Sequence, residues 1–325
     1  MPDALMRSIL GTDDRSEIET MVADWLRAYD GRGLTGLLSC EISVGAAIGL
    51  VLDDGAKAML KVLAPRTPLA YARAMRRVQA HLHAADFPCP EPHVGPAPFG
   101  QSLAVLDEFV DVGEWPDGHD PVVRRAMAGA LADLVRLARD VEDVEGLAAS
   151  SMTPPPGRLW PIPHNVLFDF DATVAGAEWI DELAATAQKT LAETAGPPLV
   201  GHVDWSANNL RLAGEEVSAV YDWDSLRLEP EPVVVAAAAT HFTYTEHLDV
   251  PTLPTQVEAQ AFVSSYADCR GAPFTAQERA AVVAAATYSL AYTARCEHAL
   301  EADREGDHDG ARARLRAHGD RFLGT

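Results

Sequence analysis

The spacing of apolar residues changes character along the chain. Ile18, Met21, Val22, Trp25 and Leu26 recur at helical intervals, which predicts an amphipathic helix over residues 16–29. Short apolar runs follow. Ile48–Leu52 closes on Asp53-Asp54-Gly55, a strong hairpin turn signal, and Ala58–Leu63 ends before Pro65. Alternation along that second run puts Met59, Lys61 and Leu63 on one face, expected to point inward. Residues 69–84 return to helical spacing. A proline-rich connector then spans Pro88 to Pro98, and Ser102–Val110 predicts another strand. A Gly/Pro/Asp loop covers residues 111–120.

Beyond that loop the pattern is mostly helical. Met127, Leu131, Leu134, Val135, Ala138 and Val141 form one apolar face, and Ile180, Leu183, Ala184, Ala187 and Leu191 form another over residues 177–194. Residues 146–165 are rich in proline and small side chains and read as a loop. Residues 255–269, 275–303 and 309–322 also predict helices. The pattern divides the chain into a small strand-rich half, 1–110, and a larger helical half, 111–325, with the boundary at the polar loop. No internal repeat interrupts this division.

Between the two blocks of helices lies the densest chemistry. His202-Val-Asp204-Trp-Ser-Ala-Asn-Asn209 is followed by Tyr221-Asp222-Trp-Asp224. Leu210–Leu212 and Val217–Tyr221 predict a hairpin around Ala213-Gly-Glu-Glu216, so Asn209 and Asp222 are expected at the same end. An amide oxygen and a carboxylate are hard ligands suited to Mg²⁺. Asp204 can face the same volume without ligating a metal. Phosphoryl transfer from a nucleotide needs this inventory. The plain alternative is a polar turn between strands with coincidental spacing.

Composition narrows the partners. The net charge is −22, from 48 acidic and 26 basic residues among 325. Such a field repels nucleic acid and anionic membrane and attracts cations, Mg²⁺ and polyamine-like substrates among them. Cys40, Cys89, Cys269 and Cys296 form no C-x-x-C pair, which predicts reduced thiols in a cytoplasmic protein. No run of about 20 apolar residues predicts a membrane span, and Val233–Ala239 is far too short. The N-terminal residues lack the apolar core of a signal peptide. His81, His83, Cys89 and His93 do not match common zinc spacings, and no Gly-x-Ser-x-Gly elbow supports a serine hydrolase. Lysine occurs only at 57, 61 and 189, so Lys61 within an apolar strand stands out. An edge-strand lysine facing water is the plain reading of it.

The His-x-Asp-x-x-x-x-Asn stretch with the following Asp-Trp-Asp resembles the aminoglycoside phosphotransferase and choline kinase group, relatives of protein kinases. The likeness runs through most of the chain in order: the strand with Lys61, a helix, Pro88-Cys-Pro90, the strand ending Asp107-Glu-Phe-Val110, the motif, and C-terminal helices. It implies an α+β, bilobal protein-kinase-like fold, with a small antiparallel-sheet N-lobe that binds nucleotide and a larger helical C-lobe that carries catalysis and substrate. It implies that Asp204 accepts or orients the substrate hydroxyl proton and that His202 braces the catalytic loop. Asn209 and Asp222 bind Mg²⁺, with Asp224 at a second metal or supporting Asp222. Lys61 neutralises phosphate charge of ATP or GTP, and Glu108, Phe109 and Val110 form the hinge beside the base. The implied reaction is phosphorylation of a hydroxyl on a small molecule. A cationic, aminoglycoside-type antibiotic or related natural product matches the charge. Glu297 and Glu301, an i,i+4 pair, are the substrate-side candidates. A monomer or a homodimer serves equally.

Two departures from that group stand out. The helix after Lys61 has no glutamate to pair with it; residues 56–85 contain no Asp or Glu, and the expected position falls near Met75 among Arg73, Arg76 and Arg77. No Gly-x-Gly-x-x-Gly loop appears, since Ser39–Gly49 holds only Gly45 and Gly49. These departures motivate the alternative of a kinase-fold binding or regulatory protein with little or no catalysis.

Overall fold

The computed structural model describes residues 2–148, 154, 157–163, 167–300 and 310–324. The chain divides into two compact units. The first holds Met1–Asp111 and Val141–Ala149, and the second holds Val112–Asp140 and Ser150–Thr325.

The first unit is built on a five-stranded antiparallel sheet. Its strands are β1 (Leu34–Ile42), β2 (Ala46–Leu52), β3 (Lys57–Val62), β4 (Pro92–Phe99) and β5 (Ser102–Glu108), in the order β1-β2-β3-β5-β4. Helices α1 (Pro2–Leu10) and α2 (Arg15–Tyr29) precede the sheet. Asp14 caps α2 by accepting from the Ser16 and Glu17 amides, satisfying donors the first turn leaves open. Ile18, Val22, Trp25 and Leu26 of α2 pack with Ile48, Leu50, Leu60, Val62 and Leu106 in one buried cluster. The core-facing set on β3 is therefore Ala58, Leu60 and Val62. Met59 and Lys61 share the opposite, half-buried face, whereas Leu63, just past the strand, is fully buried. The expected inward face is thus the other one; the short run permits both phases, and packing against α2 selects between them.

Helix α3 (Leu69–Ala84) matches the helical spacing read from the sequence. It carries a buried polar network instead of a wholly apolar face. Arg76 pairs with the Asp107 carboxylate and donates to the carbonyls of Val94 (3.2 Å) and Leu106 (3.0 Å). Gln79 accepts from Arg76 at 3.0 Å and donates to Asp107 (3.2 Å) and the Pro90 carbonyl (3.1 Å). Satisfying these groups mutually is what makes their burial tolerable.

The proline-rich stretch read as a connector contains a strand, β4. Its place at the edge of the sheet explains why Pro92, Pro96 and Pro98 are compatible with pairing, since an edge strand has one side whose N–H groups need no partner. The other edge, β1, is interrupted by register shifts between Leu34 and Gly36 and between Leu37 and Ser39. Gly45 closes the β1–β2 turn, where a Cβ would lie 2.4 Å from the Val62 carbonyl oxygen, so the turn requires glycine by close approach.

The second unit is mostly helical: α4 (Pro121–Leu137), α5 (Glu178–Thr194), α6 (Glu231–His241), α7 (Gln256–Arg270), α8 (Ala276–Leu300) and α9 (Ala311–His318). Helix α6 has no apolar period because it is buried nearly all round, with Val234, Val235, Ala236, Ala238 and Ala239 fully inaccessible. Its first residue, Glu231, accepts from Tyr266 (2.9 Å) and pairs with Arg270 (3.0 Å), fastening α6 to α7. Two small sheets complete the unit: β6 (Pro198–His202) with β9 (Leu226–Pro230), and β7 (Leu210–Ala213) with β8 (Glu216–Val220). Among the described residues no helix is long and apolar enough to cross a membrane.

Candidate active site

Strand pairing gathers the motif residues of the second unit. His202 ends β6 opposite Leu226, and Leu210 of β7 lies opposite Val220 of β8. The Tyr221 amide donates to the Asn209 carbonyl at 2.8 Å. The hairpin read from the sequence is present, and it returns the chain beside Asn209 just before Asp222.

His202 is fully buried. Burial pushes its pKa down, against the nearby carboxylates of Asp204 and Asp222, which favour the charged form. The neutral ring donates from Nε2 to the Tyr221 carbonyl, 3.0 Å away, since a carbonyl can only accept. Trp205 and Trp223 meet the ring edge-on at 5.6 and 6.2 Å. Trp205 is itself inaccessible and donates to the Met127 carbonyl of α4 at 3.1 Å. His202 thus ties the entry of the motif loop to its return, and the tryptophans are its packing.

Asp204 is exposed, while Asn209 is buried. The Asn209 amide nitrogen donates to both the carbonyl oxygen (2.9 Å) and Oδ2 (3.0 Å) of Asp204. Both partners are acceptors, so the amide orientation is fixed, and Oδ1 is turned away as a hard oxygen donor. Asp222 adopts a left-handed conformation, with φ 59 and ψ 49. Aspartate is one of the few residues that tolerates this conformation. Its Oδ2 accepts from Ser225 Oγ at 2.7 Å. Asp224 follows in a single 3₁₀ turn, Trp223–Ser225, and its carbonyl accepts from Arg227 at 2.8 Å.

The chemistry of this set fits a divalent ion of the Mg²⁺ type, which takes one or two protein oxygens and completes its shell with water and phosphate. Among the described residues no three His, Cys, Asp or Glu side chains group as a metal cluster. An amide oxygen with a carboxylate is a different arrangement, suited to an ion that arrives with its nucleotide.

A neighbouring segment, which the motif reading missed, is stitched to this loop. The amides of Ala207 and Asn208 donate to the carbonyls of Phe242 (2.9 Å) and Tyr244 (2.8 Å), and Asn208 Oδ1 accepts from the Glu246 amide at 3.0 Å. The Tyr244 hydroxyl donates to Glu246 at 2.7 Å. Burial, Glu246 and Asp204 all push the Tyr244 phenol up, so it stays protonated. Trp115 stacks on His247 with centroids 3.6 Å apart, and the Arg211 guanidinium lies 4.3 Å from its ring. No local periodicity marks residues 242–247; only their tertiary pairing with 207–208 reveals them.

The remaining candidates belong to other segments of the chain. Lys61 is half-buried on β3, opposite Val105 of β5. Glu108 ends β5 and exchanges hydrogen bonds with Glu91: its amide donates to the Glu91 carbonyl at 2.9 Å, and its Oε2 accepts from the Glu91 amide at 3.2 Å. Phe109 lies under Lys57, 5.4 Å from the ammonium, and Val110 is half-buried beside it in sequence. All four belong to the first unit. Glu297 is engaged at the start of α9, accepting from the amides of Ala311 (2.7 Å) and Arg312 (2.9 Å). This places a carboxylate where a helix N-terminus favours one. Glu301 lies outside the described residues.

Several solved structures share this fold. Amicoumacin kinase, in complex with AMP-PNP, Ca²⁺ and Ami, superposes with a TM-score of 0.61 at 11% identity, over 94% of this chain and 96% of that one. The ethanolamine kinase of Plasmodium vivax gives 0.60 at 12% identity, over 97% and 92%. Choline kinase from Streptococcus pneumoniae gives 0.53 at 13% identity, over 93% and 97%. The fold is therefore the α+β, bilobal protein-kinase-like one. No curated protein sequence matches the chain. A family model, APH, does match, over residues 50–232. That segment is more than half of the chain and carries Lys61, Asp204, Asn209 and Asp222, and the chain belongs to the phosphotransferase enzyme family that the model describes.

Proposed function

We propose that the protein transfers the γ-phosphoryl group of ATP or GTP to a hydroxyl of a small molecule. The observation that carries this reading is the double hydrogen bond from Asn209 to Asp204 beside the left-handed turn at Asp222. Asp204, held by its own carbonyl and carboxylate, receives the acceptor hydroxyl and orients it. A hydroxyl is too weak an acid for early proton loss, so positioning is the main contribution of Asp204. Asn209 Oδ1 and Asp222 hold Mg²⁺, with Asp224 supporting them; the ion, when bound, offsets the charge on the phosphate oxygens. His202 stays neutral and holds the loop. Lys61 offsets phosphate charge as a point cation, and residues 108–110 meet the base, in keeping with nucleotide binding by residues 1–110 and catalysis by 111–325.

A cationic acceptor, of the aminoglycoside or amino-alcohol type, suits the net charge of −22. Ethanolamine and choline, named for two of the structural neighbours, are alcohols of that kind. The test is nucleotide turnover over a panel of hydroxylated amines, with Asp204→Ala alongside. The substitution is expected to lower turnover by at least about 10²-fold, the scale of a lost acid–base and positioning group. Equal turnover in both would remove Asp204 from the mechanism. Nucleotide binding with no turnover on any acceptor would favour the kinase-fold binding protein suggested by the missing helix glutamate.

A further inference from the structure

Trp115, on the loop that enters α4, meets a neighbour of each part of the motif. The Arg211 guanidinium, two residues after Asn209, lies 4.3 Å from its ring. The Tyr221 ring, next to Asp222, is 6.2 Å away and tilted by 51°. The His247 ring is stacked on it at 3.6 Å and 10°. His247 directly follows Glu246, whose amide donates to Asn208 Oδ1. All of these residues belong to the second unit.

The backbone that carries Trp115 is fastened to the β7–β8 hairpin. The Glu114 amide donates to the Leu212 carbonyl at 2.8 Å, and the Leu212 amide donates to the Glu114 carbonyl at 3.0 Å. Ser218 Oγ donates to the Val112 carbonyl at 3.1 Å, and Arg211 donates to the Gly113 carbonyl at 3.0 Å. The motif loop continues on one side into this hairpin. On its other side the Ala207 and Asn208 amides pair with residues 242–244. Residues 242–247 belong to no helix or strand, so no regular ladder sets their place beside β7. Trp115 joins the two sides, with Arg211 on the strand and His247 on the segment. Side chains that orient ligand-bearing residues without touching the ion typically change metal affinity by about 10–100-fold when removed.

We propose that Trp115 is a positioning residue for the motif loop: it clamps β7 to residues 242–247 and so holds Asn208 and Asn209 beside Asp222. That the clamp serves a metal–nucleotide complex rests on the phosphotransferase reading. The clamp itself does not.

Two readouts test this in the full chain. The first is amide hydrogen exchange without ligand, read by mass spectrometry. A stacked pair and a cation–π contact together amount to about a tenfold step in a local opening equilibrium. Trp115→Ala is therefore expected to speed exchange about tenfold across 204–211 and 242–247, with α5 unchanged as the control. The second is binding of Mn²⁺, a paramagnetic stand-in for Mg²⁺, followed by electron paramagnetic resonance with AMP-PNP present. Trp115→Ala is expected to raise the Mn²⁺ concentration at half-saturation by at least about tenfold. Trp115→Phe keeps an aromatic face for His247 and Arg211 and is expected to restore both. Parent-like exchange in Trp115→Ala overturns the proposal. Faster exchange with unchanged Mn²⁺ binding also overturns it, since Trp115 would then serve packing alone. Should Trp115→Ala unfold the second unit, His247→Ala takes its place. His247 is exposed, so its loss removes the stack without opening the core; the same two shifts are expected, and parent-like values in either readout overturn the proposal. If exchange responds as expected while no chain, the parent included, binds Mn²⁺ with AMP-PNP, the clamp stands and the reading of function fails.

Discussion

Asn209 does two things with one side chain. Its amide nitrogen holds Asp204 twice, and in the proposed reaction its amide oxygen meets the cation. Asn209→Ala removes both, so it is expected to raise the Mg²⁺ concentration needed for half-maximal rate and to lower kcat together. A Mg²⁺ titration of initial rates checks this; an unchanged half-saturation point would take Asn209 out of the metal site. The motif that carries the candidate residues was legible in the sequence because its spacing is short and local. What their neighbours do was not. That Trp205 and Trp223 pack edge-on against a neutral His202 depends on burial, and burial is settled by the whole second unit. Tyr244 and Glu246 were invisible for the same reason, since the bonds that place them beside Asn208 cross more than 30 residues.

Among the elements, those with a clean period were legible and those defined by position in the fold were not. Residues 69–84 alternate in a way only a helix satisfies, and α3 has those bounds. Helix α6 is apolar on every side, and β4 is punctuated by prolines; neither has a period to read. Element contacts also set a pH response. His119, just before α4, meets Glu258 in the first turn of α7 through Nδ1 and the Pro251 carbonyl through Nε2, both at 2.9 Å. Both partners accept, so both ring nitrogens carry protons and the ring is cationic. Its pKa is raised by the Pro251 and Glu258 hydrogen bonds, against opposing desolvation. A raised histidine contributes stability that is fully present below the ordinary imidazole range and lost as pH rises through the folded value. Glu258 is lowered by the Thr255 and His119 bonds, so its contribution is lost instead as pH falls through the carboxylate range. The melting temperature is expected to fall from about pH 6 to pH 9, and His119→Gln to flatten that slope. A parallel slope in the variant would assign the response to other groups.

For the molecule as a whole, charge is the property that composition makes plainest. With a net charge of −22, kcat/KM for a cationic acceptor is expected to fall as salt rises from about 10 mM to 0.15 M, because the Debye length shrinks from about 30 to 8 Å. A neutral acceptor is expected to show little change, and steady-state rates for the two across a salt series make the comparison. The division into a sheet-bearing unit and a helical unit could be anticipated from the switch in apolar spacing. The return of residues 141–149 to the first unit could not, because it depends on packing against α3: Gly146 lies so near Ala70 that a Cβ would come within 2.4 Å of its carbonyl oxygen. The borders of the sheet have a consequence of their own. Prolines deprive β4 of amides that an incoming strand would need, and the irregular register of β1 breaks the even ladder such a strand would copy. Backbone templating is therefore hindered at both edges, where an approaching strand meets missing amides on one side and a broken ladder on the other.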